Sequence, residues 1–236
     1  MKLRRISIIM VLVISMILSG CSKASNDKED ANKDNWKETV NETKVTEKIT
    51  PSPKEEFSVG KWNDDEFDSS WLNMKFKVDD KWSIASDEEI SNLMGAGAEV
   101  LSELKGTNKE ALEAAAKLKT IYDFVIYRQG DSTNSVMLLY ENLTKTLGGT
   151  KYTEKDYLDV IKEQVPKQQY KLVDESKDKI AGKTFYSAKF SVNDGAAYQE
   201  YHCYKLDDYM VTLLVTYKSE EEKAMHSFLK NIEALK

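Results

Sequence analysis

The sequence of 236 residues is poor in the side chains on which most site chemistry depends. It has two histidines, His202 and His226, and two cysteines, Cys21 and Cys203. A structural zinc site takes three or four closely placed Cys or His ligands, and no such set exists at these spacings. A nucleophile needs a base held beside Ser, Thr or Cys, and the two imidazoles are the only histidine bases on offer. Paired with each other, His202 and Cys203 fail as a dyad, because neighbouring strand residues point to opposite faces. Arg128 is the only arginine beyond residue 5, so the side chain best suited to bidentate phosphate or base contacts is almost missing and nucleic acid is disfavoured. No repeat of fixed period is present, which excludes solenoids and propellers. Long apolar runs are equally scarce, since residues 6–18 form the only one.

That run follows Lys2, Arg4 and Arg5 and closes on Leu18-Ser19-Gly20-Cys21. A basic start, a short apolar core and small residues before a cut describe a cleavable leader, too short to span a bilayer as a mature helix. With the cysteine directly after the small pair, the pattern resembles the lipobox of bacterial lipoproteins. The resemblance implies acylation of the Cys21 thiol, cleavage between Gly20 and Cys21, and a lipid anchor on the extracytoplasmic face of the cell membrane. Each buried methylene contributes about 0.8 kcal/mol, so two acyl chains hold stably where one binds reversibly. The alternative is an ordinary secretory leader followed by an unrelated cysteine. Once Cys21 is acylated, Cys203 lacks a partner and no structural disulfide forms. In Tyr201-His202-Cys203-Tyr204 it reads as a buried core thiol, with an exposed reactive thiol as the alternative.

Residues 1–20 contain three basic groups and no acidic ones, so the rest carries 31 basic against 40 acidic side chains, a charge near −9. Residues 21–56 are polar and charged and end near Pro51-Ser52-Pro53. Such a segment cannot bury enough apolar surface to offset its ordering entropy and is expected to act as a disordered tether with a mean reach of about 30 Å. The isolated Trp36 does not change that reading.

Residues 57–236 have the length and patterning of one domain. Extended runs are expected at 57–62 and 72–78, the second alternating Leu72, Met74, Phe76 and Val78 with polar residues. Ser86 and Glu89 make a capping box for a helix over 87–104, and an alanine-rich helix follows over 109–118. A hairpin is expected from strands 121–128 and 135–141. A helix opened by Thr153 stops at Pro166. Strands at 170–174, 183–192, 198–205 and 209–217 precede a closing helix to about Ala234, with Ser219 and Glu222 as a second capping box. Segregated strands and helices of this kind argue for an α+β fold on a mainly antiparallel sheet.

Trp71-Leu72-Asn73-Met74-Lys75-Phe76, then Lys81-Trp82 and Ser86-Asp87-Glu88-Glu89-Ile90, resemble the opening of PsbP/Mog1-like domains in Gram-positive surface lipoproteins. Lys119-Thr120-Ile121-Tyr122-Asp123-Phe124 and Leu139-Tyr140-Glu141-Asn142-Leu143 add to the likeness, which spans residues 57–236. It implies an α/β/α sandwich around an antiparallel sheet and an assembly or binding role, and it brings no catalytic residues.

The remaining candidates concern binding. Asp64, Asp65, Glu66 and Asp68, with Asp79 and Asp80 nearby, lack the spacing and glycine of an EF-hand and read as solvated turns, so no metal and no cofactor are expected. Trp62, Trp71 and Trp82 either fill a core or offer rings to a ligand, and Trp62 beside the acidic turn is the best exposed candidate. Gly95 and Gly97 either allow close packing of the helix or break it and leave a groove. Three functions are weighed: a non-enzymatic lipoprotein engaging an envelope protein, a receptor for a small molecule, glycan or wall peptide, and a hydrolase. The last would require a polar pocket containing His202, or paired carboxylates at suitable separation.

Overall fold

The computed structural model describes residues 56–235, so the leader, Gly20, Cys21 and nearly all of the expected tether lie outside the described residues. Ten strands and five α-helices are numbered here in chain order. A three-stranded sheet comprises β1 (Lys61–Asn63), β2 (Glu66–Ser69) and β3 (Met74–Lys77). A seven-stranded sheet follows the order β4 (Trp82–Ile84), β5 (Thr120–Arg128), β6 (Asp131–Asn142), β10 (Tyr209–Tyr217), β9 (Ala197–Leu206), β8 (Lys183–Val192), β7 (Tyr170–Ile180). Every pairing in both sheets is antiparallel. The helices are α1 (Asp87–Met94), α2 (Ala98–Leu104), α3 (Asn108–Lys117), α4 (Glu154–Gln164) and α5 (Glu222–Lys230).

The order of the strands follows from their side chains. β10 lies at the centre of the large sheet and is apolar on both faces, as a strand covered on both sides must be. β7 lies at an edge, and Lys171, Asp174, Glu175, Lys177 and Lys179 keep its free side charged, which discourages pairing with another chain.

Along β9 the side chains alternate. Tyr201 and Cys203 lie toward Tyr157 of α4, while Glu200 and His202 lie toward α5. On the α5 face, Phe67 and Phe76 of the small sheet pack against Phe124 of β5, and Phe228 of α5 packs against Phe76 and Trp82. Fully buried side chains of this size contribute about 1.5–3 kcal/mol each. The result is the expected α+β layering of helix, antiparallel sheet and helix, with the small sheet sharing the α5 face.

Four local features differ from the sequence reading. The helix over 87–104 is two helices: Gly95 ends α1 in the left-handed region with φ 60°, and Gly97 is the N-cap of α2. The acidic stretch after Trp62 returns as β2, because Phe67 faces the core with no exposed surface while Asp68 and Glu66 stay out. β7 extends to Ile180 although its charges alternate in sign and look like a loop. The Ser219 capping box does not form. Ser219–Glu221 make one 3-10 turn, α5 starts at Glu222 without a side-chain cap, and the Glu222 carboxylate turns to Lys189 at 2.5 Å. The expected box of Ser86 with Glu89 does form, and so do boxes of Thr107 with Glu110 and Thr153 with Asp156.

Candidate functional site

A cavity of about 580 Å³ lies between α5 and the outer half of the large sheet. Its floor is β7, β8 and β9, presenting Asp178, Ser187, Lys189, Glu200 and His202, and its wall is α5, presenting Glu222, His226 and Lys230. The elements explain the convergence. Residues two apart on a strand share a face, which places Glu200 with His202 and Ser187 with Lys189. Residues four apart on a helix share a face, which places Glu222 with His226. Met225, Phe228 and Leu229 are buried and hold α5 against the sheet with that polar side turned to the cavity.

Glu200 is the centre of the cluster and is itself buried. It faces His202 Nε2 at 3.2 Å, His226 Nε2 at 3.0 and 3.1 Å, and Lys189 Nζ at 3.5 Å, and it accepts a hydrogen bond from the Tyr217 hydroxyl. Burial alone would raise its pKa, but the hydrogen bonds from His202, Tyr217 and His226 hold it down to about 2. His202 has a carboxylate on each nitrogen, with Asp178 Oδ2 3.2 Å from Nδ1 and Glu200 Oε2 3.2 Å from Nε2. Burial works against its charge, yet the two carboxylates raise its pKa and favour the imidazolium. Asp178 is correspondingly pulled down, mainly by its hydrogen bond with His202. Lys189 is partly buried and clasped by Glu222 and Glu200, with Tyr198 and Tyr217 under its ammonium at 4.7 and 5.4 Å from their ring centres.

This polar pocket contains His202, one of the two alternative conditions attached to the hydrolase reading. Ser187 Oγ lies 2.8 Å from His202 Nδ1. An imidazole flanked by two carboxylates holds its proton, so it is a poor base for Ser187. Ser187 also lies within a strand paired on both sides, where backbone N–H groups are committed to the ladder rather than to an oxyanion. The arrangement stabilises fixed charges at the edge of a cavity, which suits recognition of a charged ligand.

The sequence candidates lie elsewhere. Trp71 is buried, edge-on to Phe57, Tyr140 and Tyr209. Trp62 is half-buried with its ring edge-on to Phe67 and Phe76, and its indole Nε1 is enclosed without a partner. Trp82 is half-buried between Phe228 and the Arg128 guanidinium, which lies 5.3 Å over its ring. Trp62 also lines a second cavity, of about 570 Å³, together with Asp123, Lys105 and Leu104. There Asp123 is buried, accepts from the Gly60 N–H and the Tyr140 hydroxyl, and has its pKa pushed up to about 6 by burial. Gly95 and Gly97 are exposed and line neither cavity. Cys203 is fully buried, and burial pushes its thiol up to about 12.

What sequence reasoning missed was the meeting of the two histidines. The signals were present as Glu200-x-His202 at strand spacing and Glu222-x3-His226 at helical spacing. Each was ordinary alone, and only the packing of α5 on β9 joins them.

No protein-family model matches the chain, and no curated protein matches it. Among solved structures it is similar to cyanobacterial PsbP (CyanoP) from Synechocystis sp. PCC 6803, with TM-score 0.44 and 10% identity over 79% of this chain and 98% of that one. It is also similar to LpqN of Mycobacterium tuberculosis, described as involved in cell envelope biogenesis, with TM-score 0.33 and 9% identity over 68% of this chain and 82% of that one. The α+β assignment rests on the strand pairing of this chain itself.

Proposed function

We propose that this protein is a membrane-anchored extracytoplasmic lipoprotein of non-enzymatic role, held by Cys21, whose domain binds a small charged ligand in the cavity between α5 and β7–β9. The observation that carries the reading is the convergence of Glu200, Glu222, His202, His226 and Lys189 on one open cavity. Ligand sites are concave and hold a few convergent polar groups with shifted pKa values. The lipobox and polar tether support the location, and no helix among the described residues is long and apolar enough to cross a membrane.

The test is thermal unfolding of the full chain against wall peptides, muropeptides, glycans and divalent metals, repeated with His226→Ala. A ligand at a hundred times its dissociation constant stabilises by about 2.7 kcal/mol, and the shift should vanish in the variant. A panel that shifts nothing, or a shift indifferent to His226→Ala, would overturn the reading. Cys21→Ser should release the chain from the membrane fraction.

A second reading, engagement of an envelope protein, is favoured by Leu172 and Val173. Both are about half exposed at the irregular start of edge strand β7, beside the bulge at Leu172/Asp174. Crosslinking from these positions on intact cells should capture a protein neighbour if that reading is correct.

A further inference from the structure

We propose that Glu200, Glu222 and His226 form a binding site for a divalent transition metal of the zinc class, an inference that rests on reading the α5 cavity as the ligand site and names its ligand. One carboxylate oxygen from each glutamate and one imidazole nitrogen lie within 4.8 Å of one another. Tetrahedral zinc with bonds of about 2.0–2.1 Å places its ligand atoms about 3.4 Å apart. His226 Nε2 and the Glu200 oxygens are already 3.0 and 3.1 Å apart. Glu222 is partly exposed on the first turn of α5, so a change of rotamer brings it in. Three protein donors leave the fourth position to water or to a ligand in the cavity.

Two independent features point the same way. Both histidines of the chain line this one cavity. A cation already occupies the carboxylate pair, since Lys189 Nζ is 2.5 Å from Glu222 Oε1 and 3.5 Å from Glu200 Oε1. Two carboxylates drawn this close call for positive charge between them, and here it comes on a flexible stem from the cavity floor. A metal ion would replace the ammonium, and Lys189 would swing into the cavity.

The surroundings fit a metal site. The Tyr217 hydroxyl and His202 Nε2 contact Glu200 from behind and fix its orientation, as supporting hydrogen bonds do for metal-binding carboxylates. An imidazole donor favours zinc and its neighbours over calcium and magnesium, which prefer oxygen alone.

The test is calorimetric titration of zinc chloride into the untagged full chain carrying Cys21→Ser, which removes a competing thiol outside the site. One zinc per chain is expected, with no comparable heat from calcium or magnesium. His226→Ala and Glu222→Gln should each weaken binding at least about tenfold, the smallest loss typical of altering a metal's surroundings. Lys189→Met should act in the opposite sense and tighten it several-fold. Glu222→Gln changes a partly exposed side chain, so it keeps the test valid if His226→Ala fails to fold. Absence of zinc binding, binding indifferent to both variants, or weakening by Lys189→Met would each overturn the assignment. If zinc fails while another panel compound still stabilises the fold in a His226-dependent way, the cavity reading stands and the metal falls.

Discussion

His226 Nε2 on α5 meets both carboxylate oxygens of Glu200 on β9, at 3.0 and 3.1 Å, across 26 residues of sequence. The contact ties the closing helix to the sheet and brings the second histidine beside the first. It also gives a buried carboxylate a partner that reaches the cavity.

His202 lies between two carboxylates, one of them buried, so removing it leaves negative charge without its main counter-ion. His202→Leu should lower stability by about 3 kcal/mol, the low end for breaking a buried pair. Combining it with Glu200→Gln should cost less than the two single changes added together, because the charge left behind is gone. Urea unfolding of the four proteins measures this. Simple additivity would mean that the two side chains are not coupled.

Asp123 contributes a pH dependence of opposite sign to an ordinary salt-bridged carboxylate. Its folded pKa of about 6 exceeds its ordinary 3.8, so the folded chain holds the extra proton between these values. Its contribution to stability is therefore fullest below pH 4, declines as pH rises toward 6 and is flat above. Glu200 and Asp178, both lowered, act in the other direction at acid pH. The difference between wild type and Asp123→Asn isolates the effect and should change by about 3 kcal/mol across that window. A difference that does not vary with pH would contradict it.

Cys203 should resist a thiol reagent in the folded chain. It has no exposed surface, and burial pushes its pKa up to about 12, so almost no thiolate is available at neutral pH. Labelling should proceed only through unfolding and accelerate sharply in denaturant. Rapid labelling under native conditions would place the thiol at the surface.

Two glycines separate packing from backbone strain. A Cβ on Gly60 would fall 2.1 Å from the Phe67 ring and 2.8 Å from the Asp68 carbonyl oxygen, while a Cβ on Gly95 meets nothing within 4 Å. Gly60→Ala should cost at least about 2 kcal/mol by overpacking. Gly95→Ala should cost only about 1 kcal/mol, for the left-handed φ of 60°. Equal losses in denaturant midpoint at constant slope would contradict this division.

How much was legible in the sequence depended on whether a feature was local. The alternation in Leu72, Met74, Phe76 and Val78 marks β3 because one face is buried, and the Ser86 and Thr153 caps mark the starts of α1 and α4 because capping is decided within one turn. The helix break was visible as two glycines, and Gly95 makes it locally, with a left-handed φ and its N–H bonded to the Asn92 and Ser91 carbonyls. Ser219 with Glu222 shows a local rule overridden, since the Glu222 carboxylate is drawn to Lys189 and leaves the cap unmade. The tryptophans drew notice as residue types, yet ring packing takes up most of their surface. The candidate site escaped because β8, β9 and α5 each contribute ordinary polar residues, and their meeting is a property of the sheet order.

Ligand binding between α5 and β9 can be read directly at the two imidazoles. With two histidines in the chain, the imidazole ¹H–¹⁵N spectrum of the full protein should hold two sets of signals, both from this cavity. Titration with whichever compound stabilises the fold should shift both sets at the same ligand concentration. Stabilisation by a compound that leaves both imidazoles unmoved would show that the site lies elsewhere.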